Sequence, residues 1–555
     1  MPPRRSSRAA SVKPVEPVAK PAPRAARSQP PKRAAAERSP SPPPKRRRAA
    51  TKEPEPPVKK PRSKAAAAPA AKKPLSKKAT APARKPLAIN GLPAVHEEAT
   101  PKEVVPQKPY FNALPTPPEH TRPAPQLFVW GAGNFGQFGM GPDHLGEFGK
   151  PRKNPWIEEQ IGDGSFGGEG AGLEAVAAGG LHTLFIDEKG TVWSCGVNDD
   201  AALGRITSDV PNPANPGSFL DVDELTAVPH PLQTLVDENF RAVKVVAGDS
   251  VSAAISSAGE LRVWGSFRAN EGSLGFADGR KHQFTPISIL ELAHKPGDAE
   301  KVVSVASGNN HLLILTTHGH IFSLGAGEQG QLGRKVLERR KIHGTVPEKI
   351  TLGLRANRAV VIGAGNYHSF AVDEGGDVWG WGLNTMGQTG TGISSTGDNE
   401  VTLPAKVIGL SKEELGGDTV IEIAGGEHHT IFLTSGGKVY ACGRSDGGQL
   451  GLEPSDPAFK DRQHPDFLPE PVQVTFPDPE DLIAHISTGT HNNMAVTVGG
   501  ALYAWGEGTQ GELGIGEAGE AETPTIIVRK EGGSWSALGV ACGGQHTLGI
   551  FKNKA

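Results

Sequence analysis

A motif that returns at intervals of about sixty residues constrains this chain more than any other feature. An apolar strand ends in Trp, Cys or Leu followed by Gly: Trp130-Gly131, Cys195-Gly196, Trp264-Gly265, Leu324-Gly325, Trp381-Gly382, Cys442-Gly443 and Trp505-Gly506. The glycines are 65, 69, 60, 57, 61 and 63 residues apart. A Gly-rich loop follows, ending in Gln-Leu-Gly or a relative, as at Gln331-Leu332-Gly333. A second motif, Ala/Ser-Gly-x-x-His-Thr or a near relative, interleaves with the first. It falls around His182, His311, His368, His429, His491 and His546, with Val251 in the His position of one copy.

A fixed period means one supersecondary unit per repeat. Segments such as 176–178, 183–186 and 192–194 are apolar and β-branched, and turn residues bound them. Each unit therefore holds about four short strands, and radial repetition of such sheets protects their edges. The period exceeds the roughly 40–45 residues of WD-type blades. Seven copies of each motif predict an all-β, seven-bladed β-propeller over residues 126–553. The chain enters on the first motif and ends on the second. The C-terminal strands are thus expected to share a blade with 127–130 and close the ring.

Most recurring residues read as structural. The glycines permit positive φ in tight turns. Trp or Cys before Gly fills the gap between blades. The column of His182, His311, His368, His429 and His491 is expected to bond backbone near the turns. Six histidines at blade spacing are too far apart for one metal site.

Charge divides the chain. Residues 1–90 hold 25 Lys+Arg and 4 Asp+Glu, net +21; the remainder holds 34 and 56, net −22. That first stretch has no Phe, Trp or Tyr, so it cannot bury enough apolar surface to offset its ordering entropy. Residues 1–125 are read as a disordered basic arm that seeks polyanions, DNA first. Lys32-Arg33 and Lys45-Arg46-Arg47-Arg48 have the spacing of a bipartite nuclear-import signal for an import receptor. Ser39-Pro40 and Ser41-Pro42 precede the second cluster, where phosphorylation would place negative charge beside the arginines. Three distant cysteines make no disulfide framework. No apolar run nears the ~18 residues of a membrane span, and no secretory signal is evident.

No P-loop, His-Glu-x-x-His or Gly-x-Ser-x-Gly is present, and no cofactor is expected. The letters Gly-x-Gly-x-x-Gly at 325–330 precede no helical pattern. Function should lie where the repeat breaks, on loops at the two ends of the ring. One break is Ser266-Phe267-Arg268-Ala269-Asn270-Glu271-Gly272, with an insert at 276–296 holding Lys281, Gln283, Thr285 and Pro286. A second is the basic run at 334–341, with Arg334, Lys335, Arg339, Arg340 and Lys341. A third is His428, standing before His429 where other copies carry Leu181, Ser250, Asn310, Tyr367, Thr490 and Gln545.

Over residues 125–553 the chain resembles the regulator of chromosome condensation family, and in particular its nuclear exchange factors for the small GTPase Ran. The specific likeness lies in Trp264-Gly265-Ser266-Phe267-Arg268, Gly330-Gln331-Leu332-Gly333-Arg334-Lys335, Trp381-Gly382-Leu383-Asn384 and Gly426-Glu427-His428-His429-Thr430. The resemblance implies a guanine-nucleotide exchange factor that works by binding, without covalent chemistry. One face would bind Ran through His428, Asn384, His546, Asn310, Arg268 and Asn270. A β-wedge from the third blade, placed at 281–290 (Lys281, Gln283, Thr285, Pro286), would part the nucleotide site. The opposite face would meet the histone acidic patch of the nucleosome through Arg334, Lys335, Arg339, Arg340 and Lys341. Ala269 and Asn310 stand where animal members carry Asp. The alternatives are a chromatin-bound scaffold without exchange activity, a light sensor on the same fold and a propeller enzyme. The tryptophan cluster of the sensor and the nucleophile–base pair of the enzyme are not evident.

Overall fold

The computed structural model describes residues 107–554, apart from 355–356, 394–398, 463 and 517–518. The import-signal clusters (Lys32, Arg33 and Lys45, Arg46, Arg47, Arg48) and the Ser-Pro pairs lie outside the described residues. Seven four-stranded antiparallel sheets are arranged in a ring. Blade 1 joins the two ends of the propeller: Trp535–Cys542 and His546–Asn553 pair with Gln126–Ala132 and Glu147–Lys153. Gly131 sits opposite His546 and Gln126 opposite Phe551, so closure is the one expected from the order of the motifs. Blades 2 to 7 begin with the inner strands Leu173–Ala178, Ala242–Ala247, Val302–Ser307, Ala359–Ala364, Val420–Gly425 and Ile483–Thr488.

These inner strands line a central channel of about 740 Å³. Each second strand, such as His311–Thr316, is buried on both faces and reads as a near-continuous apolar run. Connections from first to second strand and from third to fourth strand leave the ring at one end. The tight turns between second and third strands leave at the other. The seven Gly residues of the first motif all have positive φ, from 90° at Gly131 to 125° at Gly325. A Cβ on Gly265 would lie 2.1 Å from the Ser250 carbonyl oxygen, which is fixed backbone. Gly265→Ala is expected to cost about 3 kcal/mol and lower Tm by several degrees; a thermal melt at the wild-type Tm checks it.

The recurrent polar residues staple neighbouring blades. The main-chain oxygen of Gln331, in the blade 4 loop, accepts from Trp381 Nε1 (2.9 Å) and Ser369 Oγ (2.8 Å) of blade 5. Ser369 Oγ in turn lies 2.8 Å from His311 Nε2 of blade 4. The same triad joins His182 to Ser252, His368 to Thr430, His429 to Asn493 and, across the closure, His546 to Thr183. Cys195 and Cys442 take the Trp position, with Sγ 3.7 and 3.6 Å from the Gln137 and Gln388 oxygens. The histidines thus bond side chains of the next blade, where the sequence suggested backbone near their own turn.

Two readings of the sequence change. Asn492, not His491, occupies the column: Asn492 pairs with Gly506 as His429 pairs with Gly443. His491 is therefore the counterpart of His428, on the end of the ring. Residues 107–125, grouped with the arm by composition, lie on the propeller. Phe111 N–H donates to Thr317 O, Asn112 Nδ2 to Thr316 O and Ala359 O, and Arg122 pairs with Glu188 at 2.7 Å. The Arg358 guanidinium stacks 3.9 Å from the Phe111 ring. Phe111, Leu114 and Ala124 supply apolar contacts to the propeller. This strap lies at the tight-turn end. No helix among the described residues is long and apolar enough to cross a membrane.

Candidate functional site

Blade 3 breaks the repeat by building a small hairpin. After Trp264-Gly265 the loop does not form the usual Gly-rich turn. Phe267 is fully buried and packs on Phe276 with ring centroids 5.3 Å apart. That anchor lets Arg268–Ala269 pair with Gly272–Ser273, leaving Asn270-Glu271 at the tip. The seam beneath has changed to match. With no Gln-Leu-Gly carbonyl to offer, the polar triad between blades 3 and 4 is replaced by Val251, Leu312 and Leu324, all fully buried. Removing every partner of a buried polar triad avoids leaving one unsatisfied.

The hairpin is braced on both flanks. Toward blade 2, Arg268 Nη1 donates to Asp200 Oδ2 at 3.0 Å, which also accepts from Ser250 Oγ at 3.1 Å. His282 Nε2 lies 3.4 Å from the other Asp200 oxygen. Burial pushes the nearby Asp249 carboxyl up; Arg268 opposes this and Asp200 reinforces it. Toward blade 4, Arg268 N–H donates to Asn310 Oδ1 (3.0 Å) and Asn270 N–H to Glu328 Oε2 (2.7 Å). Lys341 joins Glu271 at the tip to Glu328 and Glu338, at 3.1 and 3.2 Å from the last two.

A second cluster lies across the same end. Glu427 Oε2 stands 3.7 Å from His428 Nδ1 and 3.5 Å from His491 Nε2. Burial lowers the His428 pKa against the pull of Glu427. Arg444 and Asp446 form a close ion pair beside them.

The structure sorts the residues singled out in the sequence. Arg268, Asn270, Asn310 and His428 reach the end of the ring. His546 is wholly buried as a blade staple and does not. Asn384 is 9% exposed, with its oxygen accepting from Thr389 N–H and Oγ1 and its amide donating to Gly392 O. It shapes its own loop. The proposed wedge at 281–290 is mostly not a projection: Gln283–Ile287 is the outer strand of blade 3, with Gln283 and Pro286 buried and Lys281 and Thr285 exposed. The projecting element is the hairpin at 268–273, just before the insert. Arg334 is held by Gly344 O, Val346 O and Glu348, as Arg205 is held by Ser194 in blade 2. Of the basic run, Lys335, Arg339 and Arg340 stay exposed. The run also leaves the ring at the same end as the hairpin, tied to its tip by Lys341, and not at the opposite face.

Asp200, Asp249, Glu427 and His491 were missed. The signal was available: one residue before Ser250 and His428, the copies carry Gly180, Asp249, Asn309, Asn366, Glu427, Thr490 and Gly544. Only two of these are charged, and each belongs to one of the two clusters.

Residues 126–549 match the family described as RCC1-like domain. The guanine nucleotide exchange factor SRM1 of Saccharomyces cerevisiae is 32% identical over 441 residues, covering 76% of this chain and 86% of that one. A crystal structure of Prp20p from the same yeast, described with its binding properties to Gsp1p and histones, is similar with a TM-score of 0.65 at 30% identity. It covers 80% of this chain and 93% of that one. Yeast RCC1 (Prp20) bound to Kap60 is similar with a TM-score of 0.66 at 29% identity, covering 84% and 97%.

Proposed function

The chain belongs to the RCC1-like domain family, and from that premise we propose that it is a guanine-nucleotide exchange factor acting on Ran at chromatin. The observation that carries this reading is the braced hairpin of blade 3. It is a rigid projection on one end of a ring, with Arg268, Asp200, Asp249 and Asn310 at its foot and His428, Glu427 and His491 facing it across that end. A factor of this kind needs no bond-making group. It binds the nucleotide-free GTPase more tightly than the loaded one, and the differential affinity drives release. The name of the yeast relative and the Gsp1p and histone binding of Prp20p support the reading.

Exposed Lys335, Arg339 and Arg340 are the residues proposed to meet carboxylates of a histone acidic patch, arginine by its two-pronged geometry. The arm at 1–106 is proposed to add DNA phosphate contacts and the import-receptor site, giving a nuclear, chromatin-associated protein. The yeast complex with Kap60 fits an arm of this composition. The direct test mixes the full chain with Ran loaded with fluorescent GDP. Release is expected to accelerate by about two orders of magnitude, about 3 kcal/mol of barrier. An unchanged rate leaves only a chromatin-bound scaffold.

A further inference from the structure

The central channel carries a polar belt that no part of the exchange reading uses. Each of the seven inner strands has a register shift near its start. Bulges re-aim the side chain that follows them. The residues just past the shift occupy one level around the ring: Ala175, Lys244, Ser304, Val361, Glu422, His485 and Gly539.

Two of the three charges on this belt cancel. His485 Nδ1 lies 2.8 Å from Glu422 Oε1 and its Nε2 lies 2.9 Å from Val540 O. Both ring nitrogens face acceptors, so both are donors and the ring is the imidazolium; against burial, which lowers its pKa, Glu422 and the Val540 carbonyl raise it overall. Glu422 Oε2 accepts from Ile486 N–H at 3.1 Å. Burial lowers the Lys244 pKa and the Glu422 carboxylate, already paired with His485, opposes this from a distance without a hydrogen bond. Among the described residues the Lys244 ammonium donates to one side chain, Ser304 Oγ at 2.9 Å. Two of its N–H groups are left without a protein acceptor in the half-buried channel, and the belt as a whole, with Lys244, His485 and Glu422, is one negative charge short. The Ser304 hydroxyl, accepting from Lys244, has its own proton to donate. Gly539 and Ala175, the belt residues before Lys244, leave open space beside it.

We propose that the channel is a binding site for a small oxyanion of the phosphate class, held by Lys244 Nζ and Ser304 Oγ–H. The anion supplies the negative charge the belt lacks, and the Glu422–His485 pair forms the neutral wall opposite.

The test is calorimetric titration of the full chain with inorganic phosphate at constant ionic strength, against Lys244→Met, Ser304→Ala and, as a control, Lys438→Met, an exposed lysine with no assigned role. The basic arm is present in all four and its contribution cancels. One saturable site is expected in the wild type and in Lys438→Met. Lys244→Met should weaken it at least about tenfold, the worth of one charge-assisted hydrogen bond. Ser304→Ala, which installs the residue blade 2 already carries at this level, should weaken it less and keeps the test open if Lys244→Met fails to fold. Equal binding in all four proteins, or none in the wild type, overturns the proposal.

Discussion

Arg268→Glu is expected to slow GDP release from Ran by about a hundred-fold while shifting Tm by no more than a few degrees. The two effects separate because the Arg268–Asp200 pair is partly exposed, with side chains 46% and 16% accessible. Pairs of that kind contribute about 1 kcal/mol or less to folding. The reversal, however, sets a third carboxylate against Asp200 and Asp249, and the hairpin has no other tie to blade 2 through Arg268. The tip would swing toward blade 4, where Lys341 and Glu328 still hold it. A projection proposed to part a nucleotide site would tolerate little displacement, and losses of about 2–3 kcal/mol are usual at central interface positions. The charge-swapped pair, Asp200→Arg with Arg268→Glu, tells whether Arg268 positions the hairpin or meets the GTPase. Recovery of the rate assigns it to positioning; no recovery assigns it to contact. Wild-type release by Arg268→Glu alone would remove the hairpin from the mechanism.

The ring was legible because its determinants are local and repeated. Gly at a required positive φ recurs seven-fold, Trp or Cys before it six-fold and His in the neighbouring strand five-fold, and the offset of the two motifs gave the closure through blade 1. The exceptions arose where one blade differs from the others. His491 was assigned to the column because a His stands near the expected place. The register, which puts Asn492 there, is set by pairing to Gly506 and is invisible in a single strand. Gln283–Ile287 looked like an insertion because blade 3 spends its extra residues before the outer strand, not within it. The basic run at 334–341 was read from its charge as meeting an anionic partner, and the resemblance supplied the histone patch and the opposite face. The position of the run depends on Lys341 being captured by Glu271, a contact between residues 70 apart. Long-range pairings of this kind carry no sequence period, and those are the contacts that build the site.

The histidine staples make the ring acid-labile, by an amount large enough to measure. In each triad the hydroxyl or amide donates to a loop carbonyl, as Ser369 Oγ does to Gln331 O. It must then accept from the histidine, which fixes the proton on Nε2. Nδ1 of His182, His311, His368 and His546 has no partner. Protonating it would bury a charge against glycine backbone, since the His311 ring lies where a Gly308 Cβ would stand. Burial accordingly lowers the pKa from 6.5 to about 4 at His182 and to about 3 at His311, His429 and His546, and well below 6.5 at His368. A depressed folded pKa means that the unfolded chain binds protons which the ring refuses. Stability is therefore intact above pH 6.5 and falls as the pH drops from there toward 4. With five such sites the slope approaches about 7 kcal/mol per pH unit, at about 1.4 kcal/mol per proton. His485 has the opposite sign: with its pKa raised, its stabilisation is fully present below 6.5 and is lost only as the pH rises above that, so it leaves this window alone. Given the usual 5–15 kcal/mol of native stability, the ring should open near pH 5. Denaturant melts between pH 7 and 5 measure the slope. His311→Gln should reduce it by about one proton, whatever it does to stability at pH 7. A flat profile across that range would show that the five rings are already charged in the folded ring, and that the tautomer assigned to the staples is wrong.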